Sequence, residues 1–305
     1  MKKLSLLLLV MVLMTTLIVG CSGEETAQTE QQEEKRVTIG GKAGTEAYVL
    51  ANLAKVLLEE AGFEVETQLG VKSVLARQAL ENGEVDLYYE YTGTAYTVYH
   101  KGSNKEIMTD SARVYKWVKE KDKKNNLVWL DRLQYNNTYT VMMRKEDAQK
   151  WNIDSLSDLA AKDDELDLSF GTDSEFYQRP DGLQALMDSY NLEFGEVKKM
   201  SAGIVYKALK EGKIDAGMGY STDGRIKSFG FVNLKDNQNF FPVYNPAPVI
   251  RAEVLEKHPE IENILKPLTT NLTTAKVQEL NSKVAIDHRE PYQVAKEWLE
   301  EEGLL

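Results

Sequence analysis

Five tyrosines fall within the fourteen positions from Asp86 to Tyr99, in the stretch DLYYEYTGTAYTVY, around a Thr92-Gly93-Thr94 turn. Packing is one reading of the cluster, because aromatic side chains favour strands and cores. The other is a binding surface of π-faces, which attract cations through the ring quadrupole. More tyrosines and several cations are scattered along the chain beside other glycine turns. Signals for bond-breaking chemistry are thin by comparison. The histidines are His100, His258 and His288, with no HExxH and no pair at ligand spacing. His258 and His288 read as solvated positions. No Walker loop, GxGxxG or GxSxG is present. Cys21 is the only cysteine, which excludes a disulfide, and it lies too near the N-terminus to serve a folded domain as nucleophile or metal ligand. The expectation is a binding protein rather than an enzyme, with no metal and no cofactor.

The elements that must hold these residues alternate between strand and helix. Residues 37–41 (VTIGG) read as a short strand, and Thr45 as the cap of a following helix. Leu50, Leu53, Leu57 and Ala61 then form one apolar stripe at spacings of three and four. Gly62 ends that helix, and residues 63–67 alternate as a strand. Ser73 reads as the cap of a second helix over 74–82, closed by Gly83, and the tyrosine-rich stretch supplies a third strand. This β-α-β-α-β order implies a parallel sheet flanked by helices. Further on, 127–130, 139–143 and 166–171 read as strands, and 155–160 and 181–190 as helices. Residues 240–249 (FFPVYNPAPV) contain three prolines and read as an extended crossover, not a central strand throughout. The tail from 259 to 302 reads as three amphipathic helices, with Leu280, Val284, Val294 and Trp298 packing on the first lobe.

An internal repeat organises the whole. ALENGEVD at 79–86 is echoed by ALKEGKID at 208–215. In each copy a helix ends, a glycine stops it, and a strand begins aliphatic-Asp. Tyr91 and Tyr220 lie at the same offset after Gly83 and Gly212, and each is followed by a hydroxyl-and-glycine turn. Two copies of one α/β unit imply two similar lobes, each presenting a tyrosine where open α/β sheets bind ligands.

The N-terminus reads as an export signal. Lys2 and Lys3 precede an uncharged, largely apolar run over 4–19, and Ile18-Val19-Gly20-Cys21 resembles a bacterial lipobox. That resemblance implies cleavage after Gly20 and lipid on Cys21; an ordinary signal peptide or a short membrane helix is the alternative. Residues 21–35 lack large apolar side chains and read as a disordered tether. Removing 1–20 takes away two of 37 basic residues and none of 48 acidic ones, so the exported chain carries a net charge of −13. Such acidity argues against nucleic acid as a partner.

Six motifs in order give the chain a resemblance: GGKAGTE at 40–46, EYTGT at 90–94, NNTY at 136–139, RPDG at 179–182, GYSTDG at 219–224 and FPVYNPAP at 241–248. From about residue 37 to 304 the sequence resembles the substrate-binding proteins of ABC importers for glycine betaine, carnitine and choline. The resemblance implies a type II periplasmic-binding-protein fold, two-lobed α/β with a mixed, mostly parallel sheet in each lobe and two crossover segments. Its lobe boundaries would be 36–137 plus 245–305, and 138–244. It also implies a box of four tyrosines around a quaternary ammonium, at Tyr91, Tyr139, Tyr220 and Tyr244. Lys42, Thr94 and Arg179 would hold the ligand's carboxylate, where a helix start and a guanidinium fork favour an anion. Lys42 with Arg179 favours a glycine betaine-like zwitterion. Choline, carnitine, proline betaine or a heterocyclic amino-acid betaine remain alternatives, as does a surface lipoprotein outside transport. The implied partner is a membrane permease, and the protein would work as a monomer tethered outside a bacterial cell membrane.

Overall fold

The computed structural model describes residues 35–305; the export signal expected over 1–20, Cys21 and nearly all of the expected tether lie outside the described residues. Ten strands form two sheets. They are β1 (Arg36–Lys42), β2 (Glu64–Val71), β3 (Leu87–Tyr91), β4 (Leu127–Trp129), β5 (Tyr139–Arg144), β6 (Ser169–Thr172), β7 (Glu196–Lys199), β8 (Ala216–Tyr220), β9 (Phe231–Asn233) and β10 (Pro246–Arg251). The first sheet runs β2-β1-β3-β10-β4 and the second β7-β6-β8-β5-β9. In each, three parallel strands are joined on one side by antiparallel partners. The chain leaves the first sheet after β4, builds all of the second, and returns as β10. This is the two-lobed α/β architecture the sequence implies.

The first core forms because helix α1 (Thr45–Glu60) is apolar on most of its surface. Leu50, Leu53 and Leu58 are fully buried against Leu280, Val294 and Trp298 of the C-terminal helices. Each such side chain contributes about 1.5–3 kcal/mol on burial. The second core gathers Val141, Phe170, Phe176 and Met218 under the other sheet.

The sequence repeat is a structural repeat. Helix α2 (Ser73–Glu81) leads through Gly83 to β3, and the helix Ala202–Lys210 leads through Gly212 to β8. Both glycines have positive φ, 77° and 70°, where a side chain would be strained. The Asp86 carboxylate accepts the Thr38 N–H at 2.7 Å, and Asp215 accepts the Ser169 N–H at 2.9 Å. Arg251 pairs with Asp86 at 2.6 Å and Arg144 with Asp215 at 3.6 Å. The repeated aspartates are therefore clamps between neighbouring strands.

Several local expectations are corrected. Gly44, not Thr45, stands at the cap of α1, and Ser73 is the first residue of α2 with no capping bond. Thr92–Thr94 opens a helical segment that widens to i→i+5 bonds through Tyr99, as in His100 N–H to Ala95 C=O at 3.0 Å. Residues 246–251 are a central strand despite Pro246 and Pro248. Their carbonyls accept from Leu133 and Leu130 beyond the short β4, so the missing N–H groups face a side where little pairing is lost. The C-terminal tail has four helices, because Pro267 divides the first of them. His258 is buried, its ring edge-on to Phe63 at 5.3 Å, whereas His288 is exposed.

One buried ion pair ties α2 to the helix Ser111–Asp122. Arg77 donates to both oxygens of Asp122 at 2.8 and 2.5 Å, and Trp129 Nε1 adds a bond of 2.7 Å. Burial works to raise the Asp122 carboxyl, but Arg77 and His100 outweigh it and hold it well below the usual range. The stabilisation is thus complete above the ordinary carboxylate pKa of about 4 and lost as pH falls through the depressed value. Asp122→Asn should destabilise the protein at pH 7 by up to about 3–5 kcal/mol, because Arg77 loses its buried countercharge and keeps only the partly exposed Glu81 at 2.7 Å. Urea unfolding at pH 7 and at pH 3 checks this: an unchanged midpoint at pH 7 would show that the pair contributes nothing.

Candidate functional site

Strand ends carry the site. Lys42 closes β1, at a bulge where the pairing with β2 skips Gly70. Tyr91 closes β3 and Tyr220 closes β8. Tyr139 opens β5 directly opposite Tyr220, and Tyr244 lies two residues before Pro246, which pairs with Tyr91. Thr94 stands in the helical segment after β3, and Arg179 follows the short helix Ser174–Gln178. The Tyr244 ring reaches its place only because residue 93 is glycine: a Cβ there would meet the ring at 2.7 Å. All seven residues line one cavity of about 100 Å³ between the sheets. Six are buried, and Tyr220 is partly exposed.

Three of the four rings, those of Tyr139, Tyr220 and Tyr244, form a continuous wall. Tyr139 lies 5.1 Å from Tyr220, tilted by 38°, and 5.6 Å from Tyr244, edge-on. Burial raises the phenols of all four above their ordinary range, so they stay neutral near pH 7. Two of the chain's own cations lie over these rings. Lys42 Nζ is 4.9 Å from the centre of Tyr91, and the Arg179 guanidinium is 5.2 Å from Tyr139 and 5.7 Å from Tyr244.

Each of those cations is already paired. Lys42 bonds to Glu90, a fully buried carboxylate that also accepts the Tyr88 hydroxyl at 2.5 Å, the Tyr91 N–H at 2.6 Å and the Tyr99 hydroxyl at 2.9 Å. Arg179 grips Asp181 with bonds of 2.8 and 2.7 Å, and Tyr244 and Thr97 donate to the same carboxylate. Burial works to raise Asp181, but the Arg179 charge prevails and holds it low. Toward the cavity, Arg179 Nη1 reaches Thr94 Oγ1 at 3.2 Å.

Contacts that span the two sheets close the site. Ser73 donates to Glu175, Thr222 donates to Glu46 at 2.5 Å, and Asn281 donates to the Thr222 carbonyl at 3.1 Å. Burial works to raise Glu175, but the Lys42 charge and the Ser73 and Arg179 contacts leave it lowered. On the far side, Tyr220 donates to Asp173 at 3.5 Å, and burial raises that carboxyl.

Sequence reading thus named seven residues that the fold brings to one cavity, took Glu46 and Asn137 as neighbours that orient the box without touching the ligand, and passed over Glu90, Asp181 and Glu175. Glu90 and Asp181 were legible only by adjacency, one residue before Tyr91 and two after Arg179. Ser73 looked like a helix cap, and its cross-sheet partner Glu175 had no local signal. Tyr89 and Tyr96 are buried in packing, as expected, while Tyr88 and Tyr99 hold Glu90.

Residues 35–301 match a family model described as the substrate-binding domain of ABC-type glycine betaine transport systems. The chain belongs to that family. It is 39% identical over 302 residues to a glycine-betaine-binding protein of Pseudomonas aeruginosa, covering 96% of each chain. It is 35% identical to an ergothioneine transport permease/ergothioneine-binding protein of Helicobacter pylori, covering 89% of this chain and 48% of that one. A crystal structure of a glycine betaine/carnitine/choline ABC transporter protein superposes with a TM-score of 0.73 at 31% identity, covering 88% and 99%. Substrate-binding proteins of this family bind a small ligand outside the cytoplasm and work with a permease; they are not enzymes.

Because Glu90 gathers four donors around one buried charge, Glu90→Gln should remove about 1.5–3 kcal/mol of stability, an amide being unable to accept them all. Chemical denaturation of the two proteins measures it, and equal midpoints would show that the donors find other acceptors.

Proposed function

We propose that the chain is a lipid-anchored receptor of an osmoprotectant ABC importer that captures a quaternary ammonium zwitterion of the glycine betaine type. The observation that carries this reading is the convergence of four tyrosines with Lys42, Thr94 and Arg179 on one small cavity. A trimethylammonium cannot donate a strong hydrogen bond, and it gives up little hydration to sit against aromatic faces. At about 0.5–2 kcal/mol per ring, four rings supply a useful share of a micromolar affinity. The ligand's carboxylate takes the remaining N–H groups of Lys42, Arg179 Nη1 and the Thr94 hydroxyl. The lobes 36–137 plus 245–305 and 138–244 close on it, with hinges near Tyr139 and Tyr244. Lipid on Cys21 would hold the monomer at the outer face of a bacterial membrane, beside its permease.

Choline is the second reading, and a specific observation favours keeping it. Lys42 and Arg179 already hold Glu90 and Asp181, so the end meant for a carboxylate offers donors without a surplus of positive charge.

Calorimetric titration of the exported chain with glycine betaine, carnitine, choline and glycine tests both readings. The methylated zwitterions should bind saturably and glycine should not; choline alone binding would favour the second reading, and silence from every quaternary amine would sink both. Tyr91→Ala should weaken betaine at least tenfold, about 1.4 kcal/mol, with unfolding temperature as the control. Lys42→Gln should weaken zwitterions by a similar factor while sparing choline.

A further inference from the structure

Each of the three cations that line the cavity is held by a carboxylate, but the carboxylates lining or backing it, Glu46, Glu90, Glu175, Asp181 and Asp223, outnumber those three cations. Lys42 bonds to Glu90, Arg179 to Asp181 and Glu175, and Arg225 to Asp223. Glu46 lines the same cavity and is 6% exposed, yet every group that bonds to it is neutral. Its Oε1 accepts the Tyr91 hydroxyl at 2.9 Å and Asn137 Nδ2 at 3.0 Å, and its Oε2 accepts the Thr222 hydroxyl at 2.5 Å. The first turn of α1 offers this carboxylate a fraction of a positive charge. A buried carboxylate with no full countercharge is otherwise destabilising.

Hydrogen bonding does not explain a charge at this position. The Thr222 hydroxyl faces two acceptors, Glu46 Oε2 and, at 2.9 Å, Asn137 Oδ1, with one hydrogen to give. A glutamine at 46 would donate to Thr222 Oγ1, freeing that hydrogen for Asn137, and would keep the Tyr91 and Asn137 bonds at its oxygen. The amide would satisfy the network better than the carboxylate does.

We propose that Glu46 is the countercharge for the ligand's ammonium group, the residue that makes the tyrosine wall select a cation over an uncharged group of the same shape. This rests on the quaternary ammonium reading above. The carboxylate acts directly, through its charge, and through Tyr91, whose hydroxyl it holds at the edge of the ring. Burial raises the Glu46 carboxyl above its ordinary range, and an ammonium beside it favours the ionised form. The charged and titratable groups on the elements around it are Tyr91 and Tyr135, both neutral, Lys42, held by Glu90, and Asp223, held by Arg225.

The test compares glycine betaine with 3,3-dimethylbutanoate, in which a carbon replaces the ammonium nitrogen, on the wild type, Glu46→Gln and Glu46→Asp. Glu46→Gln should bind betaine at least tenfold more weakly and the carbon analogue within about threefold of the wild type. Glu46→Asp, which keeps the charge, should recover part of the betaine affinity. Without ligand, Glu46→Gln should melt no lower than the wild type. Equal losses for both ligands, unchanged betaine binding, an aspartate variant no better than glutamine, or a glutamine variant that melts lower or does not fold would each overturn the assignment. Failure of the wild type to bind any quaternary amine would overturn the ligand reading itself, and this assignment with it, so the wild-type arm separates the two failures.

Discussion

A charge enclosed between two sheets must find a partner, because little water remains to solvate it. That constraint shapes the centre of this molecule. Lys42 ends a strand in a place that would be untenable for an ammonium were Glu90 not beneath it, and Glu90 in turn requires the hydroxyls of Tyr88 and Tyr99. Arg179 carries its own partner two residues on, in Asp181, which then anchors Tyr244 and Thr97. Three of the four site tyrosines place a hydroxyl on a carboxylate, the third being Tyr220 on Asp173 at 3.5 Å. Tyr91 is turned by Glu46 and Tyr244 by Asp181. The rings and the acids behind them form one polar network, and the cavity is the space that network leaves.

The route of the chain makes such a network possible. Had the two lobes been strung end to end, only one linker would join them. Here β10 returns to lie between β3 and β4, so Tyr244, at the end of the second crossover, arrives beside Tyr91. The prolines that accompany this return are tolerated because the short β4 leaves their side of β10 only partly paired. Topology thus gathers groups more than 150 residues apart, such as Thr92 Oγ1 and the Val243 carbonyl at 2.8 Å.

Much of this was legible in the sequence, and the reason is locality. A helix, a glycine stop and a strand beginning with aspartate are all short-range signals, so the two copies around Gly83 and Gly212 could be aligned without coordinates. The same offsets carried Tyr91 and Tyr220 to strand ends. What escaped depends on partners distant in sequence. Ser73 has the residue type of a cap, but its hydroxyl is spent on Glu175. His258 precedes a proline and looked solvated, yet it is covered by Phe63. Of the carboxylates around the cavity, Glu90 and Asp181 at least adjoin named residues, whereas Glu175 belongs to a chain with 48 acidic residues and nothing local distinguishes it from the rest. The central placement of residues 246–251 was hidden for a different reason: proline rules describe the bonds lost and do not say which side of the strand loses them.

The two aspartate clamps set the halves of the molecule in correspondence, and the correspondence can be followed outward. Thr38 and Ser169 occupy matching places, each donating its N–H to the clamp of its own sheet. Four residues further on, one half has Lys42 and the other has Asp173. Each lies next to its own half's tyrosine, Lys42 over the ring of Tyr91 and Asp173 against the hydroxyl of Tyr220. The framework is mirrored in kind while the charge is reversed in sign. A cleft between two identical halves would look the same from either side and would admit an occupant either way round. The two sides of this one differ at the matched positions, so its ends are chemically distinct, like a keyed socket.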